Sequence, residues 1–376
     1  MLVYLHIPFC HRVCPYCSFH KHTPGGTSIG GFIDALLAET RHRLHPQPGL
    51  DGQPSAPRTL YLGGGTPSML SPTHLSRLFE GLSDEIDFDT LDEIAFEANP
   101  ATFDLEKATL FRHLGIRRVS LGIQSFTPHV LETLGREHDP SQAAESVRIL
   151  RAAGMPSVNI DLMFSVPGLS HEDWRHTLET AIALDPDHIS AYNLTYEEDT
   201  GFFESLRRGE MDADEDRDAT QFHLAHELLT VAGYEHYETS NYARPGHRST
   251  HNQGYWQGES YLGLGPSAVS TLPGSPETPG REMIRHSNIA DTPRYLEMIA
   301  RIGHAISHSE YLGHDEIRLE RIALLLRTST GLPLHWLAPA DPTNLIDQGL
   351  AVIRDAHFIL TPQGAPLVDA IAAELA

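Results

Sequence analysis

Tyr4-Leu5-His6-Ile7-Pro8-Phe9-Cys10-His11-Arg12-Val13-Cys14-Pro15-Tyr16-Cys17 stands near the start of the chain and holds all three of its cysteines. The first half reads as a short strand, and the CxxxCxxC follows it directly. Structural cysteines would fall at unrelated depths and spacings, so cysteines confined to one short stretch of 376 residues form one site. Thiolates at this spacing reach a single metal centre and select zinc or an iron–sulfur cluster. A [4Fe–4S] cube normally takes four cysteines. Three leave one iron open, which is what a catalytic metal site keeps. The competing reading of the same spacing is a closed Cys3His zinc knot, completed by His6, His11, His20 or His22.

Working outward, short apolar runs at residues 3–7, 59–62, 93–96, 118–123, 158–163 and 188–192 read as strands. Helix-period segments lie between them. Leu75, Leu78, Phe79 and Leu82 form an i, i+3, i+4, i+7 stripe behind Ser71 as N-cap and Pro72 at the first helical position. Thr177, Leu178, Ala181 and Ile182, and the run 222–231, repeat the pattern. Strand–helix alternation means parallel strands joined by right-handed crossovers, hence an α/β barrel or a doubly wound sheet. Each strand ends in unusual polarity: Cys10, then Gly63-Gly64-Gly65-Thr66-Pro67, Glu97-Ala98-Asn99-Pro100, Gln124-Ser125, Asp161 with Pro167-Gly168, and finally Asn193, Thr195 and Glu197. Catalytic groups of α/β barrels gather at the C-terminal strand ends. Six such ends facing one cleft favour an open six-stranded barrel.

The chain carries 27 basic against 50 acidic residues, a formal charge of −23. Nucleic acids and anionic membranes need a surplus of Lys and Arg, so neither is an expected partner. No basic leader or long apolar run is visible, so no signal peptide and no membrane segment are expected. Three clustered cysteines also do not make a secreted disulfide framework. A cytoplasmic location is the expectation.

The residues around the cysteines resemble the signature of the radical S-adenosylmethionine (SAM) enzymes. Within that superfamily they resemble the branch of oxygen-independent coproporphyrinogen III dehydrogenase and the radical SAM heme chaperones. The resemblance implies a partial (β/α)6 barrel, a [4Fe–4S] cluster on Cys10, Cys14 and Cys17, and SAM chelated to the open iron. It makes Gly64, Gly65 and Thr66 the element that meets the SAM amino group. Tyr4, Tyr16, Glu97, Gln124, Arg136 and Asp161 match further family positions that contact SAM. Their chemistry suits this, since carboxylates hold ribose hydroxyls and an arginine pairs with a carboxylate. Ser165 stands where the family usually carries glycine, which implies an altered turn after the fifth strand.

Tyr237 to Gly246 and His251-Asn252-Gln253-Gly254-Tyr255-Trp256 resemble the coproporphyrinogen branch rather than the superfamily at large. His251 and Tyr255 share a helix face, and an aromatic wall with an imidazole suits a planar iron macrocycle. The HNxxYW element implies heme binding, with His251 as candidate ligand. The dehydrogenase carries a further cysteine where this chain has Phe19, and an N-terminal extension before its first strand. Both differences point to the heme-chaperone subgroup, the HemW type. Its implied role is to bind heme and hand it to recipient hemoproteins, with porphyrinogen oxidative decarboxylation as the alternative.

The expected organisation is a barrel at 1–235, a connecting segment at 236–290 and a C-terminal unit at 291–376. Residues 272–280 read as a Pro/Gly/Ser-rich linker. The C-terminal unit resembles the small winged-helix-like α+β domain of the family. With few basic residues it is expected to close over the barrel mouth or to meet a partner protein rather than DNA.

Overall fold

The computed structural model describes residues 1–45, 50–52, 54–274, 280–337 and 342–375. Six strand–helix units come first: β1 (Leu2–Ile7), α1 (Ile29–Arg43), β2 (Thr59–Gly64), α2 (Pro72–Ser83), β3 (Glu93–Ala98), α3 (Leu105–His113), β4 (Arg118–Gln124), α4 (Pro128–Thr133), α5 (Pro140–Ala152), β5 (Ser157–Phe164), α6 (His171–Ala183), β6 (His188–Asn193) and α7 (Gly201–Arg207). The strands β1 to β6 lie side by side in chain order, every neighbouring pair parallel. This is the expected partial (β/α)6 barrel. Its helices form for local reasons legible in the sequence. Ser71 Oγ accepts the His74 N–H ahead of Pro72, and Leu75, Leu78, Phe79 and Leu82 form the buried face of α2. Asp139 and Gln142 close a capping box on α5.

The chain continues with α8 (Glu215–Val231), β7 (Glu235–Glu238), β8 (Asn241–Ala243), α9 (Thr250–Trp256), β9 (Tyr261–Leu264), β10 (Val269–Pro273), β11 (Met283–Asn288), α10 (Thr292–Ile302) and β12 (Ile306–Leu312). These strands extend both edges of the barrel sheet. β8 adds antiparallel to β6, while β9 adds parallel to β1 and leads into β10, β11 and β12. Residues 236–290 therefore supply strands to the same sheet, which runs on to Leu312. Leu272 and Pro273, expected in a linker, end β10, which pairs with β11. Residues 275–279 of that expected linker lie outside the described residues.

A second, smaller core follows in α11 (His314–Leu325), β13 (Leu332–Pro333), α12 (Thr343–Asp347), β14 (Ala351–Arg354), β15 (His357–Leu360) and α13 (Val368–Leu375). Ile322, Leu326, Leu332, Phe358 and Ile371 are buried in it. Asp355 and Ala356, both at positive φ, make the two-residue turn of the β14–β15 hairpin. This unit is held against β7 and α9: Thr239 N–H donates to Arg327 O at 2.8 Å, and Arg321 donates to Gly258 O at 2.5 Å. Among its described residues, none lines the cavity at the cysteine end of the barrel.

Candidate active site at the cysteine end of the barrel

The loop after β1 carries Cys10, Cys14 and Cys17, all free and half-buried. It is pinned by backbone pairs, Cys10 N–H to His22 O at 3.0 Å and His22 N–H to Pro8 O at 2.8 Å. The turn after β2 folds back on it. Gly65 N–H donates to Ile7 O and Thr66 N–H to Phe9 O, both at 2.8 Å. The glycines are needed for this approach: a Cβ on Gly65 would lie 2.6 Å from Phe9 O, and one on Gly64, at φ +107°, would lie 2.5 Å from the His6 ring. The glycines let the β2 turn pack on the cysteine loop.

That packing brings Thr66 Oγ1 to 3.6 Å from Cys10 Sγ. Asn99, at the end of β3, donates to Thr66 Oγ1 at 2.9 Å and accepts from Arg136 Nη2 at 2.7 Å. Arg136 Nη1 in turn lies 3.8 Å from Cys14 Sγ. A polar chain thus runs from one cysteine to another through Thr66, Asn99 and Arg136. The sequence signal for Asn99 was only its place at a strand end; its bridging role needs two residues far away in the chain.

These groups open onto a cavity of about 560 Å³ lined by Cys10, Cys14, Cys17, Tyr16, Gly64, Gly65, Thr66, Glu97, Gln124, Arg136 and Asp161, together with Tyr61, Asn99 and Tyr192. Glu97 accepts from Tyr61 OH at 2.8 Å and from Gly64 N–H at 3.0 Å. Burial pushes its carboxyl up to about 7, with the nearby Asp161 adding to the rise and the Tyr61 and Gly64 bonds opposing it. Burial raises Asp161 as well, against hydrogen bonds from Ser120, Ser190 and Asn159. A bulge in β4 between Gly122 and Gln124 sets Gln124 at φ +70°, and Ala101 and Ser165, just past β3 and β5, also have positive φ. Ser165 thus takes the left-handed turn without glycine, its N–H held by Gln221 Oε1 at 2.7 Å.

Three thiols on one loop are the donor chemistry that a cluster with an open position takes, although no three His, Cys, Asp or Glu side chains among the described residues are gathered closely enough to hold a single metal ion. The cavity beside them holds buried polar atoms with no partner among the described residues, Arg136 Nε and Gln124 Oε1. A polar ligand fits those atoms, whereas a closed zinc knot would not use them.

Two expected site residues do not line the cavity. Tyr4 lies behind it, bonded through OH to His6 Nδ1 at 3.0 Å and packed on Tyr61. His251 lies at the opposite end of the barrel. There Glu93, the first residue of β3, accepts from Ser249 Oγ, Thr250 N–H and His251 N–H at 3.1–3.2 Å and pairs with Arg118 Nε at 3.0 Å. The short helix α9 therefore plugs the barrel floor. His251 is 1% exposed, its Nδ1 on Thr59 Oγ1 at 2.7 Å and its ring stacked on Tyr61 at 4.9 Å. Burial drives its pKa down to about 3. Helical spacing correctly put Tyr255 beside His251, 5.0 Å between ring centroids, yet that face meets barrel interior rather than an open wall.

No helix among the described residues is long and apolar enough to cross a membrane. A model of the Radical SAM superfamily matches residues 4–181. Heme chaperone HemW of Mycobacterium tuberculosis is 36% identical over 376 residues, covering 98% of this chain and 93% of the relative. Heme chaperone HemW of Escherichia coli is 36% identical over 267 residues, covering 71% of this chain and 68% of its own. Among solved structures, coproporphyrinogen III oxidase (HemN) of Escherichia coli superposes with a TM-score of 0.81 at 24% identity, over 100% of this chain and 89% of that one, a likeness of fold. A cysteine loop at the mouth of a polar barrel cavity, the Radical SAM match over residues 4–181 and the 36% identity to a HemW over 98% of this chain lead to one conclusion: the chain belongs to the radical SAM superfamily, in the HemW family within it.

Proposed function

We propose that this protein is a heme-binding chaperone of the cytoplasm that carries a [4Fe–4S] cluster and SAM and transfers heme to hemoproteins. The observation that carries the reading is the 36% identity to a heme chaperone over 98% of the chain. Cys10, Cys14 and Cys17 hold the cluster, and its open iron supplies one-electron chemistry toward the SAM sulfonium. Gly64, Gly65 and Thr66 orient the SAM amino group, and Arg136 meets its carboxylate. Glu97 and Asp161 would hold ribose hydroxyls, and Tyr16 and Gln124, which line the same cavity, would supply further contacts to SAM. Tyr4 backs this site through its packing on Tyr61. The ready reading of His251 as heme ligand requires α9 to leave the floor, because its ring is enclosed there.

Hemin titration of anaerobically purified protein tests the chaperone reading. The expected result is saturable binding of one heme per chain. A parallel anaerobic assay with SAM, reductant and coproporphyrinogen III is expected to give no protoporphyrinogen. Phe19, where the dehydrogenase carries a cysteine, motivates that expectation. Robust turnover would replace the chaperone reading with that of a porphyrinogen decarboxylase.

A further inference from the structure

Residues 10–22 of the cysteine loop contain no carboxylate, yet they contain Arg12, Lys21, His11, His20 and His22, in a chain of formal charge −23. A cationic island on an acidic protein needs a reason, since a random surface stretch would follow the overall balance. The same loop exposes two large apolar side chains, Phe19 at 62% and Val13 at 47%. Of the two, Phe19 lies on the rim of the cysteine-end cavity, where its ring is open to a planar apolar partner.

The basic groups are not equally committed. Lys21 Nζ donates to Cys17 O. His20 and His22 both reach Thr292 Oγ1, at 3.3 and 2.8 Å. His11 and Arg12 are exposed and make no hydrogen bond or ion pair with the described residues. Both line the cavity mouth together with Phe19. One free imidazole, one free guanidinium and one exposed aromatic ring therefore share the rim.

Resting on the heme-chaperone reading, we propose that heme docks on this rim rather than on the barrel floor. Its macrocycle covers the Phe19 ring, Arg12 pairs with a propionate, and His11 ligates the iron. Each contact matches a chemical part of the ligand. A planar apolar ring stacks on an exposed aromatic, a guanidinium forms a forked pair with a carboxylate, and a neutral imidazole is an ordinary iron ligand. On the floor the corresponding groups are enclosed: the Arg118 guanidinium pairs with Glu93, and the His251 imidazole, though its Nε2 has no partner among the described residues, is 1% exposed between Tyr61 and Tyr255.

The test is hemin titration, followed by visible absorption, of the full chain with its cluster reconstituted. The set is wild type, Phe19→Ser, Arg12→Glu, His11→Ala and His251→Gln, with iron content and circular dichroism as controls. Phe19→Ser and Arg12→Glu are each expected to weaken hemin binding about tenfold or more, and His11→Ala to change the Soret and ligand-field bands. Esterifying the propionates is expected to abolish the difference between wild type and Arg12→Glu. Wild-type affinity in both rim variants overturns the proposal, as does a lost ligand signature in His251→Gln that persists in His11→Ala. A wild-type protein that binds no hemin refutes the chaperone reading instead.

Discussion

Glu93→Ala is the sharpest structural perturbation the barrel floor offers. Glu93 and Arg118 are 6% and 5% exposed, and the pair is bonded at 3.0 Å. Removing the carboxylate leaves the guanidinium charge buried with one link fewer, a loss of about 3–5 kcal/mol for a broken buried pair. It also strips the Thr250 and His251 N–H groups of their acceptor at the start of α9, worth about 1 kcal/mol as a lost cap. The expected destabilisation is about 4–6 kcal/mol, a large share of the roughly 5–15 kcal/mol that holds a domain folded. Urea unfolding followed by circular dichroism measures it. Adding Arg118→Met should recover most of the loss, because an apolar replacement of the whole pair is nearly neutral. A Glu93→Ala variant within about 1 kcal/mol of wild type would refute the view that Glu93 holds α9 in the floor.

Gly65→Ala forces a Cβ against two backbone carbonyls, Phe9 O and Ile7 O, so about 1–3 kcal/mol of overpacking is expected, with Thr66 moved off Cys10 and iron content reduced after reconstitution. Glu97 gives a pH signature. Its carboxyl, near 7 when folded against an ordinary 4.5, takes up a proton on folding, so its contribution to stability is full below about 4.5 and is lost as pH rises toward 7. SAM binding has the opposite sense, since a carboxylate is needed to accept the ribose hydroxyls. Affinity measured by calorimetry should rise with pH up to about 7, and Glu97→Gln should flatten the profile; an unchanged profile in that variant would assign the titration elsewhere.

The six barrel strands were legible because each is a short apolar run that ends in polar residues, and α2 announces its start through Ser71 and Pro72 ahead of its apolar stripe. The cavity was legible for a related reason, since Glu97, Gln124, Arg136 and Asp161 all come from the same end of the barrel. What stayed hidden depends on distant partners. β9 joins β1 by pairing Tyr261 with Leu2, and no local pattern reports so remote a neighbour. His251 was read from its helical face and from the resemblance of its HNxxYW element, while its position is set by Glu93 and Thr59, both far back in the chain. The packing of Gly64 and Gly65 was hidden for the same reason, because the neighbours that need them bare, His6 and Phe9, belong to the preceding strand and loop.

The site as a whole rests on what Cys10, Cys14 and Cys17 hold. Anaerobic reconstitution, iron and sulfide analysis, and electron paramagnetic resonance of the reduced protein with and without SAM address it directly. The account predicts one [4Fe–4S] cluster per chain, a signal that changes when SAM is added, and loss of both in Cys14→Ser. One zinc per chain, no sulfide and no paramagnetic signal would contradict it.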